Sequence, residues 1–254
     1  DSVTSIGSFA FYNCQSMTSI TIPDGVTSIG PSTFYNCWRM TDVTIGNGVK
    51  SIGENAFRNC SALKRITIGN GVTSVGYCAF SNCSRLMDVY ITDLAKWCGI
   101  SFGDFTATPM HYAHQLYLKG TLITELEIPD SVTSIGYRAF ADCSNLTIVT
   151  VLNPSCEIYN NRSNTLGNAE TTTIYGYANS TAKTDAEKYG YKFCSLVDIG
   201  GGSFAATRYS VTLNGDGKAS GHFTLRDAEG KPLPNTDFSY EYSYRGKTYT
   251  MYSH

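Results

Sequence analysis

Nine cysteines and four histidines carry the most reactive side chains in this 254-residue chain, and their spacing decides what they can do. Five of the cysteines close a recurring phrase: Val3-TSIGSFAFYN-Cys14, Val26-TSIGPSTFYN-Cys37, Val49-KSIGENAFRN-Cys60, Val72-TSVGYCAFSN-Cys83 and Val132-TSIGYRAFAD-Cys143. Where such phrases stack on one another, equivalent positions lie about 4.8 Å apart, with side chains side by side and parallel. A small, soft, buried side chain fits that column. A disulfide demands a geometry that parallel neighbours do not offer. The five are therefore expected to be inert core thiols, with a metal or disulfide ladder as the alternative. The remaining four, Cys78, Cys98, Cys156 and Cys194, form no C-x-x-C pair, against both zinc and thioredoxin-like chemistry. Nine is odd, so at least one is free or pairs between chains.

Other chemistry is equally sparse. His111 and His114 would approach each other on a helical turn, but no Glu or Cys sits at ligand spacing nearby. His222 and His254 stand apart from them. The chain has no G-x-S-x-G, no phosphate-binding glycine loop and no dinucleotide fingerprint. Its acids are scattered, without the pair a glycosidase needs. The expectation is a protein without catalytic residues, metal or cofactor.

The elements that position these residues follow from the interval. Val3, Val26, Val49 and Val72 are 23 residues apart, and the step to Val132 is 60, one period plus an insertion of 37. A period in this range marks a solenoid. Each period holds a second motif, apolar-x-x-apolar-x-apolar: Met17/Ile20/Ile22, Met40/Val43/Ile45, Leu63/Ile66/Ile68, Leu86/Val89/Ile91, Ile123/Leu126/Ile128 and Leu146/Val149/Val151. Its alternating end is the mark of a short strand with one buried face. Corners of turn chemistry follow, Pro23-Asp24-Gly25, Gly46-Asn47-Gly48 and Gly69-Asn70-Gly71. V-T-S-I is then a second strand, and the stretch before each cysteine suits one helical or 3₁₀ turn with its Phe inward. A lone coil buries too little to offset its ordering entropy, so only the stack is stable.

The insertion holds an elongated coil at 94–122, in which Gln115-LYL and Leu122-ITELEI read as a hairpin across Lys119-Gly120-Thr121. Ser180 or Asn179 can cap a short helix that Gly190 ends, closing the array with a cap at about 171–196. The composition Gly200-Gly201-Gly202-Ser203 marks a linker at 199–203. After it the period vanishes and alternation takes over, with strands expected at 206–214, 219–227, 237–244 and 248–252. The second region, 204–254, reads as a small all-β module, cut short relative to a full sandwich. Its edge is expected to be covered by the solenoid or by another chain, since unpaired edges are sticky. Phe238, Tyr240, Tyr242 and Tyr244 share one strand face there. Half-buried core is the plainer role for that row, and stacking on sugars the sharper one.

Together the two motifs resemble the BspA-like leucine-rich repeats of bacterial and protist cell-surface proteins, over about residues 2–196. Ile-Pro-Asp/Gly-Val-x-x-Ile-Gly-x-x-x-Phe-x-x-Cys is far richer than a generic leucine pattern. The 204–254 region weakly resembles bacterial immunoglobulin-like surface modules through Phe223-TLRDAEGKPLPN. The resemblance implies a β-rich leucine-rich-repeat solenoid over 1–198, located at the cell surface. It also implies ligands on host or neighbouring cells, with extracellular-matrix proteins as ligands of some members, and no catalytic residues. Attachment to a membrane or wall is then expected through parts outside this chain, because no apolar run of 18 or more residues occurs. Asp1-SVTSIG repeats Asp130-SVTSIG, which lies in mid-coil, so the chain reads as an excerpt of a longer array. Self-association through the N-terminal coil or the C-terminal β edge is a further expectation.

Charge narrows the partners. Charged residues are 16% of the chain and the formal net charge is −2, which gives a phosphate backbone no basic field to follow. No nucleic-acid partner is expected. An extracellular protein or glycan is, and the candidate surface is the exposed side of the strand column, between its buried positions. There Asp42, Arg65, Asp88, Tyr90, Glu125 and Glu127 are the candidate ligand-binding residues, in a ribbon that the insertion borders. An ordinary solvated strand face is the plain alternative, and a structural spacer presenting other domains the alternative function. The Thr and Ser row of the V-T-S-I strands could template a crystalline surface, although β-branched Thr simply suits a strand.

Overall fold

A computed structural model describes residues 3–159 and 165–196, and the backbone of four later strands, Ala205–Leu213, Ala219–Arg226, Ser239–Tyr244 and Lys247–Tyr252. The chain divides into two compact units, Asp1–Ser195 and Leu196–His254.

In the first unit each coil contributes to two columns of parallel strands, one long and one short. The long column runs Ser19–Ile22, Asp42–Ile45, Arg65–Thr67, Asp88–Ile91 and Gln115–Leu118, in register Ser19↔Asp42↔Arg65↔Asp88↔Gln115. The short column pairs Ser5–Ile6, Ser28–Ile29, Ser51–Ile52, Ser74–Val75 and Ser101–Phe102. Alternation sets the faces: Val43, Ile66 and Val89 are buried, while Thr44 and Arg65 stand exposed. The coils approach closely at their corners. A Cβ on Gly48 would lie 1.7 Å from the Asp24 carbonyl oxygen, and one on Gly71 1.9 Å from that of Asn47. Glycine is the residue that fits there.

The stretch before each cysteine is built from consecutive β-turns, where one helical or 3₁₀ turn was expected. Two residues per coil adopt left-handed backbone: Ser32 and Asn36, Asn55 and Asn59, Cys78 and Asn82, Arg138 and Asp142. This rotates alternate N–H groups along the stack axis, toward the next coil. Ser32, Phe34 and Asn36 donate to the carbonyls of Glu54, Ala56 and Arg58 at 2.8 Å each. A helical turn would have spent those donors within its own coil. Inside, Phe11, Phe34, Phe57 and Phe80 stack with ring centroids 5.2, 5.1 and 5.4 Å apart.

The 60-residue interval holds a complete additional coil. Asp93 caps a helix, Leu94–Cys98, by accepting from the Lys96 N–H, and the helix buries Trp97 and Cys98. Ser101–Phe102 and Gln115–Leu118 then join the two columns. Gln115–Leu118 turns back through Lys119 and Gly120, both at positive φ, into the antiparallel strand Thr121–Leu122. That hairpin ends the first long column. A second one starts at Glu125–Ile128 and continues through Ile148–Val151, Thr173–Tyr177 and Lys192–Leu196. Its short-strand counterpart is Ser134–Ile135 with Glu157–Ile158. Ser180 Oγ accepts from the Lys183 N–H at 3.2 Å to open the helix Thr181–Tyr189, and Gly190 closes it at φ 78°. One apolar core, from Ile22 to Tyr191, runs through all the coils.

In the second unit Ala205–Leu213 pairs antiparallel with Ala219–Arg226, and Ser239–Tyr244 with Lys247–Tyr252. These strands fall within a residue or two of the alternation. Phe238 and the linker at 199–203 lie outside the described residues.

Candidate functional site

The exposed side of the first long column is a ladder two residues wide. One row is Ser19, Asp42, Arg65, Asp88 and Gln115; the other is Thr21, Thr44, Thr67, Tyr90 and Tyr117. Asp42 and Arg65 are neighbours across the sheet, with Arg65 Nε 2.7 Å from Asp42 Oδ1. The Thr41 hydroxyl donates to the other oxygen of that carboxylate at 2.7 Å. Hydrogen bonds from Thr41 and then Arg65 hold the Asp42 carboxyl below its ordinary range. Arg65 is in turn held more firmly protonated by Asp42.

At the far end the ladder becomes aromatic. The Tyr90 and Tyr117 rings stack with centroids 4.6 Å apart and planes 16° from parallel. The Tyr117 hydroxyl donates to Gln115 Oε1 at 2.7 Å, which fixes the second ring. Partial burial, then the nearby Asp88 charge, raises the Tyr90 phenol above its ordinary value, so that ring presents a neutral hydroxyl at physiological pH. The arrangement can offer hydrogen bonds of both senses, one ion pair and a flat apolar face. It contains no nucleophile beside a base.

The candidate residues are only partly brought together. Asp42, Arg65 and Asp88 are consecutive in one row and Tyr90 stands beside that row. Glu125 and Glu127 belong to the second column, in register with Ile148 and Thr150. The slots expected for them beside Asp88 and Tyr90 are taken by Gln115 and Tyr117. The signal was present as the match between Asp88-Val89-Tyr90-Ile91 and Gln115-Leu116-Tyr117-Leu118, whose alternation is identical. A short-strand phrase without Val-Thr-Ser-Ile concealed it.

The cysteine column lies behind this face. The thiols of Cys37, Cys60 and Cys83 each donate to the carbonyl of Phe11, Phe34 and Phe57 in the preceding coil, at 3.2 Å. Burial pushes the Cys37 thiol up to about 11 and that of Cys60, Cys83 and Cys143 higher still. Protonated thiols are poor nucleophiles and poor metal ligands. None of the nine cysteines is in a disulfide. His111 packs edge-on against Phe105 and Tyr112, and desolvation lowers its pKa. His114 Nδ1 lies 3.3 Å from the Asp142 carbonyl. Among the described residues no three His, Cys, Asp or Glu side chains are grouped to hold a metal ion.

Stacked coils of 23 residues, each carrying a leucine-type strand motif, define a leucine-rich-repeat solenoid. More particularly, the chain belongs to the family of BspA type leucine-rich repeat regions, matched in six copies over residues 1–103 and 114–205. The unmatched stretch between them falls in the additional coil. Similar solved structures include a leucine-rich repeat protein of T. pallidum, 21% identical, covering 76% of this chain and 79% of that one with a TM-score of 0.37. A leucine-rich cell surface protein of Faecalibacterium prausnitzii A2-165 is 19% identical, with coverage of 78% and 84% and a TM-score of 0.27. The pneumococcal vaccine antigen PcpA is 13% identical, with 77% and 72% covered and a TM-score of 0.32. No curated protein matches the chain.

Proposed function

We propose that this chain is a non-catalytic recognition module at the cell surface, binding an extracellular protein or glycan of a host or neighbouring cell through the exposed face of its strand ladder. The observation that carries this reading is the far end of that ladder, where Tyr90 and Tyr117 stack beside Asp88 and Gln115 on strands fixed by their neighbours. Ordered aromatic side chains with polar neighbours are the composition of binding hot spots, because little entropy is lost when they are covered. Asp42 and Arg65 extend the same surface. Glu125 and Glu127 are assigned to it as a separate acidic segment on the second column. Among the described residues no helix is long and apolar enough to cross a membrane.

The test is binding of the whole chain to immobilised matrix proteins, mucins and glycans. A ligand captured from that panel should lose about tenfold or more in affinity with Tyr90→Ala or Tyr117→Ala. Asp88→Asn and Glu127→Gln should show smaller losses. Absence of any ligand above background, or a ligand indifferent to all four substitutions, would overturn the assignment.

A further inference from the structure

The corner just after each cysteine makes a second repeated surface. In three coils it is small or polar: Gln15-Ser16, Ser61-Ala62 and Ser144-Asn145. Two coils depart from this, with Trp38-Arg39 and Ser84-Arg85, and they flank the coil that carries Ser61-Ala62. The low pair therefore floors a recess of about 500 Å³ lined by Trp38, Arg39, Ser61, Ala62, Ser84 and Arg85. Positions two coils apart are separated by roughly 10 Å along the stack.

Three features bear on what this recess could hold. Trp38 is 44% exposed, while the chain's other tryptophan, Trp97, is buried. The Arg39 guanidinium lies 5.6 Å from the Trp38 ring centroid, so charge and aromatic face are presented together. Neither Arg39 nor Arg85 takes part in any of the ion pairs among the described residues. Two guanidiniums outside those ion pairs thus flank one exposed indole.

We propose that the recess binds a saccharide bearing carboxylate or sulfate groups. The Trp38 face lies against the C–H face of one sugar ring. Arg39 and Arg85 clamp anionic groups on sugars along the chain, as guanidinium forks do with planar or tetrahedral oxyanions. The hydroxyls of Ser61 on the floor and Ser84 on one flank meet sugar hydroxyls. An acidic peptide fits less well: the strands beside the recess already pair on both edges, as Arg65–Thr67 does with both neighbours, which leaves no edge for backbone pairing. The site is separate from the ladder of Tyr90 and Tyr117.

Because Trp97 is buried and its Nε1–H donates to the Ala139 carbonyl at 3.0 Å, ligand-dependent tryptophan fluorescence reports on Trp38. The whole chain is titrated with a heparin hexasaccharide, an oligogalacturonate hexamer, neutral maltohexaose and a poly-Glu peptide of matched charge. At least one acidic saccharide is expected to bind and to perturb the fluorescence, and maltohexaose is not. Binding of heparin alone assigns sulfate as the recognised group; binding of oligogalacturonate assigns carboxylate. Arg39→Ala and Arg85→Ala should each weaken binding about tenfold. Trp38→Phe should remove the fluorescence response and retain part of the affinity, while Lys50→Ala elsewhere on the array leaves affinity unchanged. The proposal is overturned if neither acidic saccharide binds, if maltohexaose or poly-Glu binds as tightly, or if Lys50→Ala weakens binding as much as Arg85→Ala.

Discussion

Two kinds of boundary separate the coils of the first unit, and they hold together differently. Between the first five coils, both strand columns run on in register and three turn N–H groups cross to the next coil, and through the first four the Phe and Cys columns stack as well. Between the fifth coil and the sixth, both columns stop and restart. There the Gly136 N–H donates to the Cys98 carbonyl at 2.7 Å, and the Trp97 indole N–H reaches Ala139. Yet Trp97, Met110, Ile123 and Leu126 keep the core continuous across that seam. Backbone ladder and apolar core are thus separable in a repeat array, and continuous burial with a few isolated hydrogen bonds bridges the place where the ladder changes sheet.

This contrast can be broken by substitution. The largest effect is expected inside the regular stack, where Phe57→Ala should cost about 3–5 kcal/mol by leaving a cavity between two stacked rings. A shift in the urea midpoint worth under about 1 kcal/mol would show that the ring column is not what binds those coils. At the seam, Trp97→Phe should cost about 1–3 kcal/mol, since a buried carbonyl loses its donor. Amide exchange at Gly136 should quicken in that variant while Phe34 and Phe57 keep their protection. Uniform quickening along the stack would mean that the seam is no weaker than its neighbours.

Smaller effects probe the exposed ladders. The Asn47 side chain accepts from the Asn70 N–H at 2.9 Å, one coil on, so Asn47→Ala should lower stability by about 1 kcal/mol in thermal melts. Asp42 gives the smallest effect, because solvent screens an exposed ion pair. Its folded carboxyl titrates below the ordinary 3.8. The contribution is therefore complete above that value and lost as pH falls through the folded one. Asp42→Asn should flatten the acid limb of the stability profile slightly and leave neutral pH almost unchanged; an unaltered acid limb would remove Asp42 from the account.

Much of this architecture was legible in the residues. The valine interval, the alternating strand motif and the Gly-Asn-Gly corners predict both columns and their register, because each is a local period tied to one geometry. Ser180 and Gly190 announce the C-terminal helix by capping chemistry. Two features were hidden. Gln115 and Tyr117 occupy their slots because Ser101-Phe102, only two residues long, is enough to seat a short strand where no full phrase exists. The left-handed positions were half visible. Asn36, Asn59, Asn82 and Asp142 are residues that tolerate that conformation, whereas Ser32, Cys78 and Arg138 bear no such mark and are held there by hydrogen bonds to the next coil. The Trp38 recess escaped because it departs from the repeat in two separate coils, and neither departure means anything until stacking sets them around a third.

The hairpin at Lys119-Gly120 carries a mechanical consequence. Pulled along its axis, a stack of this kind resists through hydrogen bonds that lie parallel to the force, and these run unbroken across the first five coils. At the turn into Thr121–Leu122 that series of bonds is interrupted, and the load passes to packed side chains around Trp97. Side-chain packing yields over longer distances and at lower force than a bonded ladder. Under tension the solenoid should therefore part first between Leu118 and Glu125, leaving the coils on the N-terminal side, with the tyrosine pair and the tryptophan recess, intact.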